Sequence, residues 1–304
     1  MVAGLLVVDA LPCDMTGGGR TVRPGYHLGG LLLHDPAVAV AELAWLGFAA
    51  VAVRPIAGRF SVGEPNFQAN WQSISAACRD ASVDLILDLD AAFVFDPHID
   101  RPPSWTADDL EQRDAAVDWI AAWMDAAAGT AGLATIRSGR FSGKPDAAPE
   151  SWSQIVDVVA ERTEALYRRV EGIDLPLAIR PAAGDTIATV GHWTQIAGRI
   201  GEDRMLLAAD VGEMVVAGEF PIGDRLTEQL DALACVYVCD RGSSTGGVNR
   251  RDIRIGHGEL ATERIIQTLD RGGYDGPAVY RVLGHDADGL LPAREAIGSF
   301  ESAR

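Results

Sequence analysis

The chain has 304 residues, 48% of them hydrophobic, and its 43 acidic and 26 basic side chains leave a formal net charge of −17. This is the composition of a soluble globular protein with ample apolar material for a large core. So acidic a chain argues against a general role on nucleic acid or an anionic membrane, both of which need an extended basic face; a small basic pocket, set by local charges, stays open.

The opening MVAGLLVVDALP holds a short apolar run that no basic residue precedes and that Asp9 ends, so neither a secretory leader nor a membrane span is expected. Residues 1–25, with the glycine run Gly17 to Gly19, read as an N-terminal extension. From Tyr26 strand-like and helix-like runs alternate. YHLGGLLL precedes the helical DPAVAVAELAWLG, FAAVAVRP precedes a helix around NWQSISAACRDA, and VDLILDLDAAFVF precedes a polar loop and DLEQRDAAVDWIAAWMDAAAG. LATIRSG is followed by the long amphipathic SWSQIVDVVAERTEALYRRVEG, LPLAIRPAAG by HWTQIAGRIG, and RMLLAADVGE by RLTEQLDA. LACVYVCDRG and LATERIIQTLDRGG lead into GPAVYRVLG and a short final helix.

Eight βα units in strict alternation imply a parallel sheet, and the short β-branched strands read as buried on both faces. With no GxGxxG after the first strand, the expected fold is a closed (β/α)8 TIM barrel in the α/β class, one domain over residues 26–304. Four of its strands end in arginine: VAVRP at Arg54, ATIRSG at Arg137, LAIRP at Arg180 and AVYRV at Arg281. All four guanidinium groups are therefore expected at the C-terminal mouth, where such barrels place their chemistry.

Other residues take simpler readings. The four cysteines, Cys13, Cys78, Cys235 and Cys239, form no metal-ligand cluster with histidines and read as buried reduced thiols of a cytoplasmic protein. Asp88 and Asp90 share one strand face and are expected to pair with Arg54 or Arg137. His27 and His34 read as solvated or capping residues, and His98 as a solvated loop residue. Trp119 and Trp123, four apart, face one way and pack the core or an interface. The Gly/Ser-rich stretch from Arg241 to Asp252 is either a lid or a merely mobile loop.

The order and spacing of several motifs resemble the sugar phosphate isomerase/epimerase superfamily, the xylose-isomerase-like barrels. The resemblance rests on AVAELAWLGFAAVAV, LPLAIRPAAG, LLAADVGEMVVAGEFPIGDRL, CVYVCD and IGHGELATERIIQTLDRGGYDGPAVYRV. Members of that family bind one divalent metal through Glu, Asp, His and Glu from strands five to eight. The matching positions here are Arg180, Asp210, Tyr237 and Arg281, and the family's sixth-strand His is Glu213. Two carboxylates have become fixed cations, which repel a divalent ion, so no metal and no cofactor is expected there.

Two readings follow. In one, Arg54, Arg137, Arg180 and Arg281, with His257 nearby, bind a small anionic, carbohydrate-type ligand, with Asp210, Glu213 and Tyr237 as acid/base candidates and the phenol's pKa lowered between arginines. In the other, Arg180 and Arg281 pair internally with Asp210, Glu213 or Asp240 and the barrel is a non-catalytic partner of an active homologue. A third alternative keeps a metal on Asp210, Glu213 and Asp240. The expected partners are a small anionic or sugar-like molecule and either further copies of this chain or an active homologue, with no nucleic acid and no membrane.

Overall fold

The computed structural model describes residues 21–56, 62, 64–89, 104–139, 152–201, 204–241, 252–282 and 289–303. Eight strands close into a parallel barrel: β1 (Arg23–His27), β2 (Ala50–Val53), β3 (Asp84–Asp88), β4 (Leu133–Ile136), β5 (Leu177–Ile179), β6 (Leu206–Asp210), β7 (Leu233–Val238) and β10 (Pro277–Tyr280). The remaining two, β8 (Asp240–Arg241) and β9 (Asp252–Ile253), form a short antiparallel ribbon after β7. β1 pairs with β10 and with β2, which completes the circle.

The helices between the strands are α1 (Pro36–Trp45), α2 (Phe67–Asp80), α3 (Leu110–Ala127), α4 (Trp152–Val170), α5 (Val190–Ile200), α6 (Val211–Ala217), α7 (Ile222–Thr227), α8 (Thr262–Arg271) and α9 (Leu291–Ser302). Several start on the side chain the sequence offers. Asp35 accepts from the amides of Ala37 and Val38 ahead of Pro36, Asp109 from Gln112, and Thr189 from His192. Such caps satisfy amides that the first helical turn leaves open.

The first strand begins earlier than the YHLGGLLL run suggests. It ends at His27, and Leu28–Gly30 form a single 3-10 turn. Gly25 belongs to the strand because β1 and β10 approach closely there; a Cβ at position 25 would lie 2.9 Å from Val279 Cγ2.

Two separate apolar cores follow from the strand period of two. One lies between strands and helices and includes Val51, Leu85, Leu87, Ile136 and Leu207. Trp119 and Trp123 join it, edge to face with ring centres 6.2 Å apart. The other fills the barrel with Ala50, Ala52, Ile86, Leu133, Ala178, Ala208, Cys235, Tyr237 and Val279. Two residues further along each strand in that inward set stand Asp88, Thr135, Arg180, Asp210 and Arg281. The alternation thus stacks a polar layer on the small apolar one, at the C-terminal end. Cys78, Cys235 and Cys239 are buried free thiols; Cys13 lies outside the described residues, as do Asp90, His98 and positions 242–251 of the loop read as a lid. Among the described residues, no helix is long and apolar enough to cross a membrane.

Candidate functional site

Arg54, Arg137, Arg180 and Arg281 each stand one residue beyond a barrel strand, as the sequence suggests. The backbone ladder continues through two of them: Arg180 donates its amide to the Ile136 carbonyl and Arg281 to that of Val238. Their side chains therefore start from fixed points on the mouth and turn inward.

Asp88 is the hub of the polar layer. Arg180 Nη1 donates to its Oδ2 at 3.3 Å, and Nη2 lies 3.1 Å from its Oδ1. His27 Nε2 sits 3.1 Å from Oδ2. The His27 tautomer follows from its other nitrogen: Nδ1 accepts the Gly29 amide at 2.9 Å, so the proton is on Nε2 and points at Asp88. Burial lowers the His27 pKa, with the cations Arg281 and Arg54 adding to the effect and Asp88 opposing it. The ring is neutral and buried, so of the two sequence readings, solvated or capping, the structure shows the second: His27 caps the 3-10 turn.

The hydroxyls complete the set. Thr135 Oγ1 donates to Asp88 Oδ1 at 3.2 Å, which leaves its lone pairs for the Tyr237 O–H at 2.8 Å. Arg180 lies over the Tyr237 ring, 4.4 Å from its centre. Expecting a lowered phenol pKa here is wrong. Burial pushes the Tyr237 pKa well up, the Asp88 charge adds to it, and the Arg180 charge opposes it without winning. Four tyrosines, Tyr167, Tyr237, Tyr274 and Tyr280, share this upward shift from burial. An alkaline titration followed by phenolate absorbance should accordingly show these four ionising only as the protein unfolds. The sign is fixed: a raised folded pKa adds stability below the unfolded value of about 10, and that stability is lost as pH rises beyond it. A separate phenolate step in the folded protein, lost in Tyr237→Phe, would contradict the arrangement.

Arg281 Nη2 lies 2.9 Å from Asp210 Oδ2, and Arg180 Nη1 3.9 Å from the same oxygen. Asp210 Oδ1 accepts the Glu213 amide at 3.1 Å, so this one carboxylate ends β6, caps α6 and neutralises a guanidinium. The four charged side chains Asp88, Asp210, Arg180 and Arg281 are 1–7% exposed and sum to zero. Arg137 grips Asp185 with both prongs, at 2.9 and 3.0 Å. The expected pairing of Asp88 with Arg54 or Arg137 is thus replaced by Asp88 with Arg180.

Glu213 opens α6 and keeps 19% of its side chain exposed. Its Oε2 accepts the Ala183 amide at 2.9 Å, and Arg241 Nη2 lies 3.9 Å from Oε1. Burial, then the neighbouring Asp210 charge, raises its pKa against the pull of Arg137 and Arg281. Of the three acid/base candidates it alone reaches solvent. Arg241 escaped the sequence reading as a site residue, yet it is buried across Gly212, where a Cβ would lie 2.5 Å from its Nη2.

Asp240 does not turn toward a metal. Its Oδ1 accepts the amides of Arg241 and Leu260, and Oδ2 those of Gly256 and Gly258, at 2.8–3.0 Å. Among the described residues no three His, Cys, Asp or Glu side chains converge as a metal site. The Asp210, Glu213 and Asp240 alternative therefore fails on geometry. The family position does not fit a divalent ion either, because Asp210 there faces two guanidinium groups. His257 stands apart from the polar layer, 57% exposed and 3.6 Å from Glu295 on α9, which Arg254 also holds.

Solved structures share the whole architecture. A putative xylose isomerase from Rhodospirillum rubrum superposes with a TM-score of 0.74 at 14% identity, covering 93% of this chain and 99% of its own. The 3-keto-D-glucoside 4-epimerase from E. coli gives 0.70 at 15% identity, over 93% and 100% of the two chains. The IOLI protein, whose crystal structure contains a zinc atom, gives 0.68 at 12%, over 93% and 96%. At these identities the likeness is one of fold. No curated protein sequence matches the chain. A model of one family, however, matches residues 40–303, which takes in seven of the eight barrel strands and every arginine of the mouth. By that match, the chain belongs to the xylose isomerase-like TIM barrel family.

Proposed function

We propose that this chain is a metal-independent barrel that has given up metal-assisted sugar isomerisation and acts by binding a small, carbohydrate-type anion at its mouth. One observation carries the first part: Arg180 and Arg281 occupy the two family carboxylate positions and are each held by a buried carboxylate, Asp88 and Asp210. A divalent ion would have to displace two tethered cations from a site whose charge is already balanced. The sugar-like ligand rests on kinship with barrels such as the E. coli 3-keto-D-glucoside 4-epimerase.

Elemental mass spectrometry on protein soaked in Mn²⁺ and desalted tests this reading. The expected content is below about a tenth of an equivalent, with no change in thermal midpoint on adding chelator. Near-stoichiometric metal would overturn it and return metal-dependent isomerisation to first place.

A second reading, a non-catalytic partner of an active homologue, is favoured by the surface of α1. Val38 and Trp45, seven residues apart on one helix face, are 59% and 76% exposed, and Leu33 just before the helix is 76% exposed.

A further inference from the structure

Helix α1 is apolar on both of its sides. Ala39, Val40 and Leu43 are buried against the barrel, while Val38, Ala41 and Trp45 face solvent. At about 100° per residue, Val38 and Trp45 fall within about 20° of each other, and Ala41 and Glu42 flank them on opposite sides. A helix that is apolar all round belongs inside a protein, yet the outer half of this one is exposed.

α2 packs beside α1 and extends the same outer surface. From Phe67 to Cys78 it contains no charged residue, and the side chains it exposes there are Gln68, Ala69, Gln72 and Ser73. Arg79 and Asp80 close the helix 3.9 Å apart and cancel. Glu42 is then the one net charge that the two helices present. α3 shows the contrast, since it exposes Glu111, Asp114, Asp118 and Asp125.

Charge decides what covers this face. The chain carries a net −17, so two copies repel wherever their acidic surfaces meet. A basic partner is drawn to acidic surface such as that of α3 and gains little from a neutral one. A second copy of this chain has the opposite requirement, a surface that brings almost no like charge together. A two-fold contact of one patch with itself meets it, because apolar and amide side chains are complementary to their own kind. The size agrees. α1 and α2 run for about 15 and 21 Å, about 10 Å apart, which makes a face about 20 Å square. Specific contacts take about 800 Å² of accessible surface from each partner, and this face supplies one at the small end of that class.

We infer that the α1–α2 face pairs with the same face of a second copy, forming a two-fold dimer with Val38 and Trp45 of both copies at its centre. The contact lies on the side of the barrel, so it stands or falls independently of the metal-free and anion-binding readings of the mouth.

Sedimentation equilibrium of the full chain, from sub-micromolar to sub-millimolar protein, tests this. The mass should rise from that of one chain to that of two. Added NaCl should tighten the dimer, because it screens the repulsion between acidic copies, whereas a contact held by opposite charges weakens. Trp45→Asp and Val38→Glu each set a charge against its own copy across the two-fold axis, and each should weaken the dimer at least about tenfold. Both positions are exposed, so far-UV circular dichroism should be unchanged, and either variant serves if the other does not fold. Leu110→Asp, at an exposed leucine of α3, should leave the association as it was. A monomer at every concentration, a dimer that salt dissociates, or a dimer that both variants leave intact would overturn the inference. The first of these outcomes would give the face to another occupant, such as an active homologue.

Discussion

Replacing Arg180 with alanine is expected to lower the unfolding free energy by about 3–5 kcal/mol, the range for breaking a fully buried ion pair. Both partners are 1% exposed, so Asp88 would lose the guanidinium that faces both of its oxygens, in a site shielded from bulk water. His27 and Thr135 still donate to it, but two neutral donors do not replace a guanidinium. The double variant Arg180→Met/Asp88→Asn should recover most of the loss. An amide oxygen still accepts from His27 and Thr135, and the uncompensated charge is gone. Arg137→Ala should cost less, about 1–3 kcal/mol: Arg137 is 29% exposed, but Asp185 is only 6% exposed and loses both of its bonds from the guanidinium. Urea unfolding at constant m-value measures all three. A loss below about 1 kcal/mol for Arg180→Ala would mean that Asp88 is not the buried charged hub described above.

Removing the Asp240 carboxylate is the second large effect. Its two oxygens gather four backbone amides, and through them the loop 256–260 is tied to the end of β7. Asp240→Ala should reduce stability by about 3–4 kcal/mol, because hydrogen bonds to an ionised acceptor exceed neutral ones while three of the four amides are only part-buried. Asp240→Asn should fall between, since its NH2 faces two donors that need an acceptor. Gly258→Ala should act on the same cradle from the other side: a Cβ there would overlap Asp240 Oδ1 and the Arg241 carbonyl. Hydrogen exchange gives the local readout. The amides of Gly256, Gly258 and Leu260 should lose protection in Asp240→Ala, and unchanged protection there would show that the cradle is dispensable.

The strand–helix alternation and the four strand-ending arginines were legible because both are local. A short apolar run, a period of two and a terminal residue place a side chain on the mouth without knowledge of any partner. Pairing is not local. Asp88 ends β3 and Arg180 follows β5, with β4 between them, so no neighbouring-strand argument joins them, and only the length of the arginine side chain lets them meet. The same ignorance of partners misjudged Tyr237. Neighbouring strand-end arginines suggest a phenolate, but Arg180 alone pulls the pKa down, and burial with the Asp88 charge outweighs it and keeps the phenol protonated. The capping role of His27 was legible, but its hold on Asp88 was not, because that contact depends on strand three, 61 residues on. Arg241 was missed because its role depends on α6 presenting a glycine beneath it.

The guanidinium groups of Arg180 and Arg281 also change how the molecule matures. A coordinated metal ion is a separate solute, acquired after synthesis and exposed to scarcity, competition and exchange for the wrong ion. A side chain arrives with the polypeptide, in fixed ratio, and cannot be scavenged. On the metal-free reading proposed above, the interior of this barrel reaches its final charge during folding itself, at whatever rate Asp88 and Asp210 capture their arginines, and the trace-metal economy of its surroundings has no hold on that step.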